Sequence, residues 1–165
     1  MKRLTSYGKK RKLHQTPEPH PRVRKSGGRL IFVVQKHHAS HLHYDLRLEV
    51  DGVLKSWAVP KGPSMDPEEK RLAILVEDHP YEYKDFEGEI PEGNYGAGTV
   101  KIWDHGTYDV PELETHDEIE SYMRAGLKKG HVHICFHGRK LKGEFSLFMV
   151  PRASAKNAWL LVKKK

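Results

Sequence analysis

Cysteine is almost missing. Cys135 is the one cysteine among 165 residues, which rules out an internal disulfide and any Cys-rich zinc site. It stands in His133-Ile134-Cys135-Phe136-His137 and reads as a small buried strand residue. Long apolar runs are missing too. No stretch is long enough to span a bilayer and no secretory signal opens the chain, so the expectation is a cytoplasmic protein with no membrane contact. Acids are missing from both ends. Residues 1–28 hold nine Lys/Arg and one acid, residues 121–165 eleven and one, and residues 29–120 nine and twenty. Two basic ends around an acidic middle suggest a polyanionic partner held at the ends. The acidic middle would repel a phosphate backbone unless a metal and local arginines intervene. A merely solubilising basic tail is the plainer account; nucleic acid is preferred over it.

What is present suffices for one domain with a modest core. Hydrophobic residues make up 37% of the chain, and they recur in strand-like blocks. The stretch around which the chain is organised runs from Val34 to Glu49. Its second half alternates as a strand does. Leu42, Tyr44, Leu46 and Leu48 share one face; His41, His43, Asp45, Arg47 and Glu49 share the other. The first face suits a core. On the second, His43 and Asp45 point the same way and can hold one metal ion, with His37 as a third ligand if the chain turns back. Arg47 lies one step further, placed for a phosphate or carboxylate oxygen. Three such groups on one face would be costly to bury without a partner. His38 and His41 read as solvated surface residues.

Residues 1–28 are basic and rich in Pro, Gly and Ser. They read as an extended arm, ordered only where it docks, and Gly27-Gly28 separates it from a domain over 29–165. Asp51-Gly52 is a hairpin turn. Further strands are expected over Arg29–Gln35, Val53–Val59, Arg71–Glu77, Thr99–Trp103, His131–Phe136, Leu141–Val150 and Trp159–Val162. Tyr81-Glu82-Tyr83 reads as alternating, Asp78-His79-Pro80 and Asp104-His105-Gly106 as turns, and Gly88–Gly98 as a tight loop bringing backbone near the site. Its Gly96-x-Gly98 lacks the following helix of a nucleotide-binding fingerprint. From Asp117, residues Ile119, Tyr122, Met123 and Leu127 share a helical face that Gly130 ends. Trp57 and Trp103 read as core. Many short strands with Gly/Pro turns indicate a mainly β fold, a small antiparallel barrel or sandwich.

These residues resemble a known family. The matching blocks are Gln35-Lys36-His37, Leu42 to Glu49, Leu54 to Pro63, Glu77-Asp78-His79-Pro80, Tyr83, Phe86-Glu87-Gly88, Ile90-Pro91, Tyr95 to Gly98, Leu141-Lys142-Gly143 and Trp159-Leu160-Leu161. Together they resemble the 3′-phosphoesterase module of bacterial DNA ligase D, here as a free-standing member. The resemblance implies a β-barrel with a crescent groove and one or two short helices. It implies a Mn²⁺-dependent enzyme, with other divalent transition metals able to substitute. The enzyme would remove a 3′-terminal ribonucleoside and then the 3′-phosphate, leaving a 3′-hydroxyl. Its partners would be nucleic-acid 3′ ends, primer–template DNA or RNA, and a separate ligase or polymerase; the expected state is a monomer. By position the resemblance makes His37, His43 and Asp45 the metal ligands. It makes Arg47, His79 and Tyr83 the phosphate pocket, with Arg71 a further basic residue. It makes Arg11, Glu18 and Glu77 helpers of the phosphomonoesterase step. Lys12 stands where the family often has Asp, which leaves the strength of that step open.

Two readings from other classes compete. His43-x-Asp45 with a later His133 or His137 mimics the facial triad of non-haem iron oxygenases, but it leaves His37 and His79 idle. A non-catalytic nucleic-acid-binding module accounts for the charge and not for the ligand-bearing strand.

Overall fold

The computed structural model describes residues 2–23, 28–151 and 157–165. The Gly27-Gly28 separator lies partly outside the described residues. Nine strands are described: β1 Ile31–His38, β2 Leu42–Val50, β3 Val53–Val59, β4 Arg71–Pro80, β5 Gly88–Ile90, β6 Gly98–Asp109, β7 His131–His137, β8 Lys142–Met149 and β9 Ala158–Lys163. Their order is β1-β2-β3-β4-β9-β8-β7-β6-β5, all neighbours antiparallel, and β1 also pairs with β6. That last pairing closes eight strands into a barrel, with β5 attached outside β6. Closure leaves no exposed edge on the eight.

Alternation along each strand divides inside from outside. Phe32, Val34, Leu46, Leu48, Trp57, Ala73, Val132, Ile134, Phe136, Phe145, Leu147 and Trp159 form the interior cluster. Two α-helices are described, α1 over Thr5–Lys9 and α2 over His116–Lys129. Thr115 and Glu118 form a capping box at the start of α2, and Gly130 ends it in the left-handed conformation, where glycine carries no Cβ penalty. Ile119 and Met123 join the interior cluster. Glu120 accepts from Asp51 N at 2.6 Å, and Arg124 donates to Asp51 at 2.7 and 3.0 Å. The helix is thereby fixed to the β2–β3 turn.

A second apolar cluster lies on the outside of the barrel. It comprises Tyr7, Leu54, Tyr83, Phe86, Ile90 and Val100. Here the structure corrects several expectations. The arm is not extended throughout: Lys2–Leu4 is a 3-10 turn and Thr5–Lys9 a short helix. Leu4 and Tyr7, three residues apart and on one helical face, are buried with Glu18. Tyr81–Asp85 is a 3-10 helix rather than an alternating strand. Its turn brings Tyr83 and Phe86 onto one side, ring centroids 5.0 Å apart.

Gly88–Ile90 is a short strand rather than loop, β4 runs on through Asp78-His79-Pro80, and Asp104-His105-Gly106 is not a turn. The strand β6 runs through it, bent by a bulge where Val34 faces Asp104 and Gln35 faces Ile102. Such a bulge places one extra residue in a strand without ending it. Gly106 permits the close pass, because a Cβ there would meet the His137 carbonyl oxygen at 2.2 Å. Asp104, buried, accepts from the backbone N–H groups of Arg139, Lys140 and Leu141 at 2.9, 3.0 and 2.7 Å. Its turn-like polarity in the sequence thus serves the β7–β8 turn.

Replacing Asp104 by Ala strands those donors. The Leu141 N–H is the buried one of the three, so the expected loss is about 1–3 kcal/mol, the cost of one buried donor left unpaired. Urea denaturation checks this; a variant as stable as the parent would show that water replaces the carboxylate fully.

Candidate active site

The polar face of β2 points out of the barrel and is nevertheless buried. Asp45, Arg47 and Glu49 are all inaccessible, as are Leu46, Leu48 and Val50 behind them. The arm, Tyr81–Asp85 and the loop before β6 cover this outer wall. Between them lies a cleft of about 270 Å³, lined by residues that include Arg11, Glu18, His37, His43, Asp45, Arg47, Glu77, His79, Tyr83, Tyr95 and Gly96.

The β1–β2 hairpin supplies the metal-type donors. His37 and His43 face one another in register, and Asp45 faces Gln35. Donor atoms of His37, His43 and Asp45 all lie within 4.8 Å of one another. Asp45 Oδ2 is 3.5 Å from His37 Nδ1, and Oδ1 is 3.3 Å from His43 Nε2. Those are the spacings of donors that share one ion at about 2.1 Å. The second nitrogen of each ring is occupied. His37 Nε2–H donates to Gly96 O at 2.7 Å, and His43 Nδ1–H to His41 O at 3.0 Å. Each backbone carbonyl fixes its imidazole so that the other ring nitrogen faces the Asp45 carboxylate. Gly96 has φ +77, a left-handed backbone that favours glycine and turns its carbonyl to His37.

Arginines supply the anion-binding half. Arg47 Nη2 is 3.4 Å from Asp45 Oδ2, and Nε donates to Gln35 Oε1 at 2.6 Å. Gln35 in turn donates to the Tyr83 and Phe86 carbonyls at 2.7 and 3.0 Å. Arg47 Nη1 is buried with no partner among the described residues, so the cleft holds a donor awaiting an oxygen. Arg11 donates to Glu18 Oε2 at 3.0 Å, Glu77 Oε2 at 3.1 Å and the Tyr7 carbonyl at 3.2 Å. Its guanidinium stacks over Tyr7 at 3.9 Å. Tyr83 OH donates to Glu18 Oε2 at 2.5 Å. A bulge aims β4: Leu54 faces His79 and Ser56 faces Val76, two residues against three. Val76, Glu77 and His79 consequently all line the cleft.

Burial, helped by Arg47 and Arg11, pushes the His79 imidazole well below its ordinary range. His79 is therefore neutral. Its Nδ1–H donates to Glu77 O at 3.0 Å and Nε2 accepts from Arg11 Nη2 at 3.2 Å. For Asp45, burial alone would raise the carboxyl, but Arg47, His37 and His43 outweigh it and hold it well below the usual range. The hydrogen bond to Asp45 raises His43, against the opposing effect of burial.

With histidines neutral, the cleft-lining carboxylates Glu18, Asp45 and Glu77 outnumber Arg11 and Arg47. The net charge is −1. A divalent ion on His37, His43 and Asp45 would reverse it to +1 and make the cleft attractive to phosphate. The donor set, an oxygen with two imidazoles, suits a transition metal such as Mn²⁺ or a neighbour.

The expected residues His37, His43, Asp45, Arg47, His79, Tyr83, Glu77, Arg11 and Glu18 thus meet in one cleft. Arg71 does not line it. It starts β4 opposite Leu161, with Nη2 3.2 Å from Glu69. Lys12 is exposed. His133 and His137 stand on β7, paired with Glu144 and Asp109 at 2.8 and 2.9 Å. The oxygenase triad that would join them to Asp45 is therefore not assembled. Sequence reasoning gave no role to Gln35 or Tyr7. Alternation from His37 points to Gln35; the four-residue step from Tyr7 to Arg11 is one helical turn.

A closed barrel thus carries a metal-type donor cluster and a buried guanidinium in one external cleft. The family model for the DNA Ligase D 3′-phosphoesterase domain matches residues 35–149. The chain is 50% identical over 99% of its length to the multifunctional non-homologous end joining protein LigD of Pseudomonas aeruginosa, of which it covers 19%. It is 43% identical over 99% to that of Mycolicibacterium smegmatis, covering 21%, and 47% identical over 88% to that of Mycobacterium tuberculosis, covering 18%. The chain belongs to the DNA ligase D 3′-phosphoesterase domain family, and it spans about a fifth of the length of these relatives.

The raised His43 sets a pH dependence for metal uptake. An ion must displace the His43 proton, so affinity should fall as pH drops through that raised value and recover above it. Mn²⁺ titration calorimetry across the range checks this. Asp45→Ala should abolish the heat of this site while circular dichroism stays barrel-like; unchanged binding would move the site elsewhere.

Proposed function

We propose that the chain is a Mn²⁺-dependent phosphoesterase that processes nucleic-acid 3′ ends in non-homologous end joining. It would remove a terminal ribonucleoside by diester cleavage, then the remaining 3′-phosphate, and leave a 3′-hydroxyl that a ligase or polymerase can use. One observation carries the reading: His37, His43 and Asp45 converge beside the unpartnered Nη1 of Arg47. The family membership and the similarity to end-joining LigD proteins support it. A cytoplasmic site of action follows from DNA as substrate.

Mn²⁺ held by His37, His43 and Asp45 would supply Lewis-acid charge beside a phosphoryl oxygen. Arg47 keeps Nη2 on Asp45 and offers Nη1 to a second oxygen. Gln35 holds the guanidinium plane in place, so that no reorganisation is needed as charge develops. His79, neutral at rest, is not a ready-made acid. Its Nε2 holds Arg11 and turns to the phosphate once the added negative charge raises its proton affinity. Tyr83 keeps its proton, because burial pushes its phenol above the ordinary range, and it orients Glu18.

The monoester step brings a dianion toward Glu18 and Glu77. Arg11, bridging both carboxylates, is the group that offsets this repulsion. Lys12 points to solvent and adds only to the general field. Arg71, outside the cleft, is proposed to reach a phosphate further along the strand.

The test is a labelled primer–template ending in one ribonucleotide, with and without Mn²⁺. Loss of the ribonucleoside should require Mn²⁺ and vanish in Asp45→Ala. Arg47→Ala should slow it by roughly 10²–10³-fold, the scale of a lost charge-stabilising donor. Arg11→Ala should harm removal of a 3′-phosphate more than removal of a 3′-ribonucleoside. Binding without any metal-dependent turnover would instead favour a non-catalytic nucleic-acid module.

A further inference from the structure

We infer that Asp109, Cys135 and His137 form a second metal site, suited to a Zn²⁺-class ion, on the outer wall of β6 and β7. The alternation of β7 sends Val132, Ile134 and Phe136 into the core and leaves His131, His133, Cys135 and His137 outside. Asp109 faces Cys135 across the β6–β7 pairing. One oxygen, one sulfur and one nitrogen of Asp109, Cys135 and His137 lie within 4.8 Å of one another. His137 Nε2 is already 2.9 Å from Asp109 Oδ2.

A tetrahedral ion bonds to S at about 2.3 Å and to N and O at about 2.0–2.2 Å. Small rotations of half-exposed side chains close the remaining gap. Thiol, imidazole and carboxylate together select a borderline-soft ion over Mg²⁺ or Ca²⁺. Glu144 faces Cys135 from β8, but His133 and Lys164 hold its carboxylate at 2.8 and 3.8 Å. The ion therefore takes the Asp109 side. Burial, with Asp109 and Glu144 beside it, raises the Cys135 thiol. On binding, the S–H bond breaks, the sulfur pair goes to the ion and one proton goes to solvent. His137 keeps its proton on Nδ1. No electron moves.

The site would act as a staple. The β6–β7 seam is the shortest wall of the barrel among the described residues. Thr107 faces His137, Tyr108 faces Phe136, Asp109 faces Cys135, and the pairing ends there. One ion would join β6 to β7 at that end.

Co²⁺ tests this on the full chain, because the His37–His43–Asp45 cluster contains no sulfur. A thiolate-to-Co²⁺ charge-transfer absorption is expected in the wild type and in Asp45→Ala, and none in Cys135→Ser. Asp109→Ala and His137→Ala should each weaken the Co²⁺ responsible for that band by more than roughly tenfold, the lower end of what even outer-shell losses cost. Zn²⁺ should raise the melting temperature of Asp45→Ala and not of the Asp45→Ala, Cys135→Ser double variant. No thiolate band in the wild type would overturn the site. So would a band whose affinity ignores Asp109 and His137, which would mark a solitary cysteine.

Discussion

Two opposite charges buried side by side on an outer wall dictate what surrounds them. Asp45 is 6% exposed and Arg47 3%. Ions taken out of water lose solvation that mutual attraction alone does not restore, so further hydrogen bonds must complete the pair. Gln35 does this for Arg47, and two histidines do it for Asp45. Gln35 is then fixed by the Tyr83 and Phe86 carbonyls, which explains why a 3-10 turn stands there. Tyr83 leans on Glu18, Glu18 on Arg11, and Arg11 on Tyr7. Satisfying one buried pair on β2 thus recruits β1, the 3-10 turn and the arm.

The same requirement explains why the arm is folded. A strand with apolar residues inside and charges outside normally needs no cover. Here the outer face must be kept from water if its charges are to act strongly on a bound anion. Leu4 and Tyr7 provide the apolar weight that seats the arm, and the carboxylates arrive with it. A basic, proline-containing segment therefore does two things. Its exposed lysines give the positive field, while its few apolar residues dock it.

Much of this was legible in the chain. The alternation from Leu42 to Glu49 marked both the core face and the site face, because period two leaves no other arrangement. The helix over His116–Lys129 followed from its period and its terminal residues. Barrel closure between β1 and β6 was not legible, since nothing local encodes which distant strand a strand joins. Asp104 misled because a buried carboxylate that serves another segment's turn resembles a turn residue of its own. Tyr81–Asp85 misled because alternation over three residues fits either state. Leu42 sits on the core side by period yet is 44% exposed, as the strand begins beyond the barrel wall. Arg71 matches its family by position, but it lies at the far end of the strand that carries His79.

The hairpin that carries His37, His43 and Asp45 gives the cleft two halves of unlike chain entropy. His37 and His43 face one another across a single tight connection, and a loop that short costs little to close. The donors can meet as soon as β1 and β2 pair. The guanidinium half must gather the arm, β3, β4 and the 3-10 turn across separations such as the 68 residues between Arg11 and His79. Local chain order therefore brings the ion's donors together, with the distant Gly96 carbonyl left to orient His37, while the anion's half exists only in the completed tertiary structure.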